Sequence, residues 1–203
     1  TRAFCAGADI DAFYNESQGS VSEHAFRERL LELFEILMNL SKPTIARVNG
    51  YALGGGFGLA MACDLVIAAN SARFGTPEVN IGLFPMMIMP VLYRNINRKK
   101  LLEMMFTGDK ISGDEALNQG MINYSVNTDQ LDQKVLELAR KLTAKSGSTI
   151  KLGRQAFNKM ADMALPEALD YLKDMLSENL HTEDAAEGLK AFLEKRPPQW
   201  NHQ

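Results

Sequence analysis

The first part of the chain alternates short apolar runs with stretches of helical composition. Residues 44–48 form an apolar run rich in β-branched side chains, which predicts a buried strand. Residues 57–63 contain the leucine, alanine and methionine that favour helix. Residues 64–68 predict the next short buried strand, and residues 72–78 predict a strand that enters a turn. Alternating strands and helices of this kind are typical of an α/β core.

Ser-x-x-Glu capping boxes mark the starts of two further helices. The first box, at 20–23, precedes a long helix that the Ser-Lys-Pro sequence at 41–43 ends. The second box, at 112–115, opens a helix over 115–119. The remaining elements expected in this part are a helix over 99–106 and a strand over 121–126.

From residue 129 onward the pattern is helical only. Four helices are predicted, over 131–144, 148–163, 166–179 and 182–194. The order of elements therefore predicts an α/β core at 1–127 followed by a helical region at 128–203.

Three consecutive glycines, Gly54, Gly55 and Gly56, lie where the strand predicted at 44–48 turns into the helix predicted at 57–63. Glycine permits positive φ and a close approach of backbone to a ligand, so this joint can leave unpaired N–H groups at a helix N-terminus. Such donors, together with the helix dipole, suit a developing negative charge. The competing interpretation is a tight turn that binds nothing.

Glu78 is the candidate acid, because its neighbours in the sequence are largely apolar. It is either a surface residue on a loop or a partly desolvated acid whose raised pKa suits a general acid or base. The apolar, methionine-dense segment at 84–90 is either core packing or the lining for an apolar substrate. At residues 3–10 a strand end runs into a small-residue turn, and Asp9 can cap the element after that turn.

Composition narrows the function classes. The chain has 203 residues, is 46% hydrophobic and 23% charged, and carries a net charge of −3, so no global basic surface favours nucleic acid. The basic run at 98–100 is either a phosphate-binding patch or a solvated helix start. No apolar stretch approaches the roughly 20 residues that span a membrane.

Cys5 and Cys63 are expected to be buried free thiols in a reducing compartment, and the three histidines show no metal spacing. The start at Thr1, without methionine, predicts that an N-terminal portion is absent.

Six motifs occur in order along the chain. They are Ala-Phe-Cys-Ala-Gly-Ala-Asp-Ile at 3–10, Lys-Pro-Thr-Ile-Ala at 42–46, Asn-Gly-Tyr-Ala-Leu-Gly-Gly-Gly at 49–56, Phe-Gly-Thr-Pro-Glu at 74–78, Phe-Thr-Gly at 106–108, and Gly-Leu-Lys-Ala-Phe-Leu-Glu-Lys-Arg at 188–196. On these motifs the chain resembles the crotonase superfamily, the enoyl-CoA hydratases and isomerases, over essentially its whole length.

The resemblance implies an α/β fold, a crotonase-like spiral of ββα units with a C-terminal helical trimerisation region. A homotrimer or a dimer of trimers is therefore expected. The family's first units precede the motif at 3–10, so the N-terminal units are expected to be missing from this sequence.

The resemblance also implies the site. The backbone N–H groups of Ala8 and Gly55 would polarise the thioester carbonyl, and Glu78 would act as acid and base. An acyl-CoA is the implied substrate, with no separate cofactor and no metal. Substrate contacts are implied for Ala6, Asp9, Ile10, Leu53, Gly54, Pro77 and Met86. Leu176 and Lys195 fall where family members contact CoA, and Lys195 suits either a phosphate or an ordinary surface salt bridge.

The sequence departs from the hydratases at two places. The first of their two glutamates maps onto position 58, where this chain has Gly58, and the loop after Glu78 continues as Met-Met-Ile-Met at 86–89. One base suffices for double-bond migration, so isomerisation fits better, while hydration, an unusual substrate and a catalytically impaired acyl-CoA-binding or scaffolding protein stay open. RNA binding, known in one branch, is disfavoured by the negative charge. The expected location is the cytoplasm, or the mitochondrial matrix in a eukaryote.

Overall fold

The structure is a computed structural model that describes residues 2–18 and 24–201. Its strands are β1 (Ala3–Cys5), β2 (Ile45–Val48), β3 (Tyr51–Leu53), β4 (Leu65–Ala69), β5 (Arg73–Gly75), β6 (Lys110–Ser112) and β7 (Tyr124–Val126). Its helices are α1 (Ile10–Ser17), α2 (His24–Asn39), α3 (Gly55–Ala62), α4 (Met89–Asn95), α5 (Arg98–Thr107), α6 (Gly113–Asn118), α7 (Leu131–Thr143), α8 (Gly147–Met160), α9 (Leu165–Leu180) and α10 (Glu183–Leu193).

The chain divides into two compact units, one containing residues 1–38 and 44–136 and the other containing 39–43 and 137–203. In the first unit the strands form two sheets, with the orders β1-β3-β5-β6 and β2-β4-β7. All pairs are parallel except β5 with β6. The chain passes from the three-stranded sheet to the four-stranded one at β2–β3 and again at β4–β5, which makes the strand–strand–helix unit the repeating element.

The core of the first unit lies where α3 packs on both sheets. Phe57 of α3 and Phe74 of β5 are fully buried, with ring centroids 5.6 Å apart. Val48, Ala52 and Ile67 are also without exposed surface. Small and β-branched side chains on these strands allow the helix to approach closely.

Most elements lie where the sequence predicts them, including both capping-box bonds between Ser112 and Glu115. The proposed box at 20–23 lies outside the described residues. One assignment was wrong: the strand that leads into the glycines is β3, and β2 at 45–48 precedes it. A reversal at Asn49 and Gly50 separates the two strands, and three residues are too few to show a period of their own.

Short elements were also missed or shortened. No element was predicted for α1, α4 or β6, and the strand predicted at 121–126 covers only β7. Residues 121–123 instead form a turn, in which the Asn123 side-chain oxygen accepts a hydrogen bond from the N–H of Val66 at 2.7 Å.

The second unit is helical and contains a buried acid. Asp184, 1% exposed, accepts hydrogen bonds from Ser146 Oγ at 2.6 Å and Ser148 Oγ at 2.9 Å. Its other oxygen accepts a bond from the backbone N–H of Asn201 at 2.8 Å. The carboxylate thereby ties the start of α8, the start of α10 and the C-terminal tail together.

Candidate active site

Three segments of the first unit meet at one edge of the four-stranded sheet. The strands β1, β3 and β5 run parallel, so their carboxyl ends lie at the same edge. The segments that leave these ends carry Ala8, Gly55 and Glu78 respectively. Parallel strand ends are where open α/β sheets place their ligands.

The first two segments are in contact. Gly7 has a φ of +103°, which a side chain rarely allows, and a Cβ there would lie 3.1 Å from the Leu53 carbonyl oxygen and 3.7 Å from the Gly55 nitrogen. This close approach places Ala8, the next residue, near the start of α3. Gly55 is the first residue of α3, so its N–H has no partner within the helix. Within 2–18 and 24–201, neither the Ala8 nor the Gly55 N–H donates a hydrogen bond.

The backbone at Gly54 lies against the Glu78 carboxylate. Its φ of 52° and ψ of −124° are accessible essentially to glycine alone. A Cβ at Gly54 would lie 2.7 Å from Oε1 of Glu78. The carboxylate therefore rests directly on the backbone at the N-terminus of α3.

The Glu78 carboxylate is short of partners. Its Oε2 atom is buried and has no hydrogen-bond partner among residues 2–18 and 24–201. Burial raises the pKa of Glu78 above its ordinary value of 4.5, and a hydrogen bond with its own backbone offsets part of that rise. A carboxylate whose pKa is raised is a stronger base than an ordinary one, which suits a group that takes a proton and returns it.

A rigid turn holds Glu78 in place. Pro77 opens a 3-10 turn over Pro77–Ile81, and the Glu78 carbonyl accepts a bond from the Leu83 N–H at 3.0 Å. Thr76, fully buried, donates its hydroxyl to the Met104 carbonyl of α5 at 3.2 Å. The sequence reasoning missed this anchor, because the hydrogen bond joins residues that are 28 positions apart in the sequence.

The segment at 84–90 divides between the interior and the surface. Ile88 is 2% exposed and lies against Gly58 of α3, whereas Met86 is 61% exposed. Phe34 of α2 also packs on Gly58. Sequence reasoning did not single out Ile88 or Phe34, because their proximity to Gly58 depends on packing between distant segments.

The other predicted contact residues lie in several places. Leu53 and Pro77 are half-buried beside Gly54 and Glu78, and Ala6 is exposed. Asp9 caps α1 by accepting from the Asp11 N–H at 3.0 Å, which confirms its predicted capping role, and Ile10 is 55% exposed.

Leu176 and Lys195 belong to the second unit. Leu176 is 60% exposed on α9, and Lys195 follows α10 with a φ of 55°, the left-handed conformation common after helix ends. Their predicted CoA contacts stay predictions.

Two further expectations can be compared with the structure. Cys5 and Cys63 are half-buried, so the expectation of buried thiols was wrong in that respect. In the basic run, Asn97 caps the Lys99 N–H at 3.0 Å and Lys100 pairs with Glu103 at 2.9 Å. None of the helices in the described ranges is long and apolar enough to cross a bilayer.

Comparison with known proteins identifies the family. The family model described as enoyl-CoA hydratase/isomerase matches residues 1–203. A probable mitochondrial enoyl-CoA hydratase of Dictyostelium discoideum is 35% identical over 99% of the chain, which covers 72% of that protein. The mouse mitochondrial enoyl-CoA hydratase domain-containing protein 3 is 34% identical over 98% of the chain, which covers 66% of it.

Solved structures support the same family assignment. The crystal structure of human enoyl-CoA hydratase domain-containing protein 3 superposes with a TM-score of 0.91 at 34% identity, over 96% of this chain and 77% of that one. The chain belongs to the enoyl-CoA hydratase/isomerase family, the crotonase superfamily. It has the crotonase fold and is shorter than its full-length relatives.

Proposed function

We propose that this protein binds an enoyl-CoA and moves its double bond. The thioester oxygen accepts hydrogen bonds from the N–H groups of Ala8 and Gly55, and Glu78 transfers the proton. The observation that carries the proposal is the partly buried Glu78 carboxylate next to the backbone N–H groups of Ala8 and Gly55. Within the described residues, Oε2 of Glu78 has no hydrogen-bond partner and neither N–H has a protein acceptor. Membership of the family supports an acyl-CoA substrate.

The chemistry balances with one base. The Glu78 carboxylate removes a proton from the α-carbon of a 3-enoyl thioester, which breaks a C–H bond and moves negative charge onto the thioester oxygen. The same proton then returns to the γ-carbon, which leaves the conjugated 2-enoyl thioester. No water is consumed. Each backbone donor at the oxygen is worth about 3 kcal/mol of barrier, and the positive end of the α3 dipole adds to their effect.

Hydration is the second candidate, and the names of the relatives favour it. The Dictyostelium and mouse proteins both carry the name hydratase. Hydration also uses an oxygen held by two donors, but it requires a water molecule oriented for attack at the β-carbon. The helix face that follows Gly54 offers Gly58 at this point, which has no group to orient water.

The test uses the protein and its Glu78→Gln variant with separate 2-enoyl-CoA and 3-enoyl-CoA substrates. Absorbance of the conjugated thioester and product mass are followed together. A gain of absorbance from the 3-enoyl substrate without a mass change is expected. Glu78→Gln should reduce this rate about 10²–10⁴-fold, because the amide cannot accept the proton. The exposed Glu32→Gln on α2 serves as the matched control and should leave the rate unchanged.

Other outcomes contradict the proposal in distinct ways. Loss of absorbance from the 2-enoyl substrate, with a product heavier by one water, identifies a hydratase. Binding of CoA esters without either change identifies a protein that binds acyl-CoA but has lost catalysis.

We also propose that the protein assembles with copies of itself through its C-terminal helices. Large apolar side chains on α9 and α10 are exposed, which is unusual for a face left in water. They include Leu165, Leu169, Leu180, Phe192 and Leu193, exposed by 73%, 61%, 53%, 82% and 80%. Sedimentation velocity should give a trimer or a hexamer, and a monomer at micromolar concentration would overturn this proposal.

A further inference from the structure

Gly54, the residue before α3, and Gly58 of α3 are one helical turn apart, and the Gly58 N–H donates to the Gly54 carbonyl at 3.1 Å. Each is covered by one side chain from elsewhere in the chain. A Cβ at Gly54 would lie 2.7 Å from Oε1 of Glu78, and a Cβ at Gly58 would lie 2.7 Å from Cβ of Ile88. The Glu78 carboxylate therefore covers the start of α3, and Ile88 covers the next turn of the helix, about 5 Å further along its axis.

Ile88 is held rigidly in that place. It is 2% exposed, and its carbonyl accepts from the Val91 and Leu92 N–H groups at 3.1 and 3.0 Å as α4 begins. A β-branched side chain has little rotamer freedom in such surroundings. Phe34, 5% exposed, also contacts this position, with its Cζ 3.4 Å from a Cβ at Gly58. Ile88 and Phe34 thus form an apolar wall at position 58.

A carboxylate at position 58 has no room while Ile88 is present. Any side chain there would begin within overlap of the Ile88 Cβ and its methyl group. Gly58 and Ile88 therefore form a matched pair, because the missing side chain at Gly58 leaves a space that the Ile88 side chain fills. Introducing a water-activating acid requires both residues to change.

We infer that Ile88 is the specificity-determining residue of this site, because it keeps water away from the substrate next to Glu78. This inference rests on the proposed function. With water excluded, the proton that Glu78 removes from the α-carbon returns to the γ-carbon and no C–O bond forms. With water admitted, the oxygen of a water molecule bonds to the β-carbon of a 2-enoyl thioester, the α,β double bond and one O–H bond of the water break, and the proton released goes to the α-carbon, so the product gains one water.

The experiment measures hydration and isomerisation in the same preparation of each variant. Ile88→Ala shortens the side chain that covers Gly58. Gly58→Glu introduces a carboxylate while Ile88 still fills that space. The double variant Gly58→Glu/Ile88→Gly introduces the carboxylate and removes the isoleucine side chain together. Ile122→Ala is the control for loss of a buried isoleucine, since Ile122 is 6% exposed and precedes β7. Circular dichroism verifies the fold of each variant.

Ile88→Ala is expected to raise the ratio of hydration to isomerisation about tenfold or more, as expected for a change of a few carbon atoms in a binding pocket. The double variant should raise the ratio further, whereas Gly58→Glu alone and Ile122→Ala should not. An unchanged ratio in folded Ile88→Ala overturns the inference, as does hydration by the unaltered protein at the rate of that variant.

Ile88→Val covers the case in which the larger truncations fail to fold. It should raise the ratio by a smaller factor, and no change in it likewise overturns the inference. The two proposals fail separately. Absence of isomerisation in the unaltered protein refutes the proposed function, while hydration that stays constant across the Ile88 variants refutes the role of Ile88.

Discussion

Two acids in different units of the molecule are withdrawn from water in opposite ways. Asp184 is 1% exposed, and both of its oxygens accept hydrogen bonds from Ser146, Ser148 and the Asn201 backbone. Glu78 is half-buried, yet its Oε2 atom has no hydrogen-bond partner in the part of the chain that the structure describes. A carboxylate with all its acceptors used stabilises structure, whereas one with an unused acceptor is available for chemistry. Burial alone does not distinguish the two roles.

The largest expected effect comes from displacing Glu78 without changing its charge. Gly54→Ala would force an unfavourable backbone conformation and would place Cβ against Oε1 of Glu78. A shift of about 1 Å in a catalytic group can cost about 10²-fold in rate, so we expect at least that loss in turnover. Gly120→Ala is the matched control, since Gly120, which follows α6, also has a positive φ and a Cβ added there meets no atom of the described residues within 4 Å.

Gly120→Ala should lose about 1 kcal/mol of stability and keep its turnover. Equal losses of turnover in both variants, measured with the 3-enoyl substrate on folded protein, would show that backbone strain rather than the position of Glu78 is responsible.

The next effect concerns stability. Asp184→Asn keeps the shape of the side chain but replaces one charged acceptor by a donor, which disrupts the bonds from Ser146 and Ser148. Hydrogen bonds to charged groups contribute about 1.5–3 kcal/mol, and a loss of that size lowers the melting temperature by about 3–12 °C in a chain of this length. Thermal melts verify this, with the exposed Glu178→Gln as control. If Asp184→Asn instead reduced turnover at temperatures where it stays folded, the contrast with Glu78 would be lost.

The smallest effect is the pH dependence of stability at Glu78. Because burial raises its pKa above 4.5, the folded protein holds this proton more tightly than the unfolded chain does. The stability of the folded state therefore falls as the pH rises from 4.5 through the raised pKa. The amide side chain introduced by Glu78→Gln carries no charge, so this variant lacks the pH-dependent loss. The difference in melting temperature, variant minus unaltered protein, should therefore be smallest in acid and should increase as the pH rises through this window. A difference independent of pH would contradict this assignment.

Much of the site could be predicted from the sequence because local signals coincide there. The glycines, the apolar runs and the Pro-Glu pair each mark a strand end, and parallel strands bring such ends to one edge. Asp9 was correctly expected to cap α1. The contact of Ile88 with Gly58 could not be predicted, since it joins the start of α4 to a helix 30 residues earlier through packing alone. Asp184 likewise resembles an ordinary first-turn acid of α10, and its burial depends on the tail at Asn201.

In the proposed mechanism the two donors at the thioester oxygen are main-chain N–H groups, and this has a consequence for how mutations can alter the site. A point mutation in the gene can replace the Ala8 methyl group, yet the amide N–H remains in every residue except proline. Most single-codon changes at Ala8 or Gly55 therefore leave the N–H group that would bind the thioester oxygen in place. The rest of the site depends on side chains, at Glu78 and Ile88, so divergence among descendants of this protein should alter which bond is made or broken before it alters the use of thioesters.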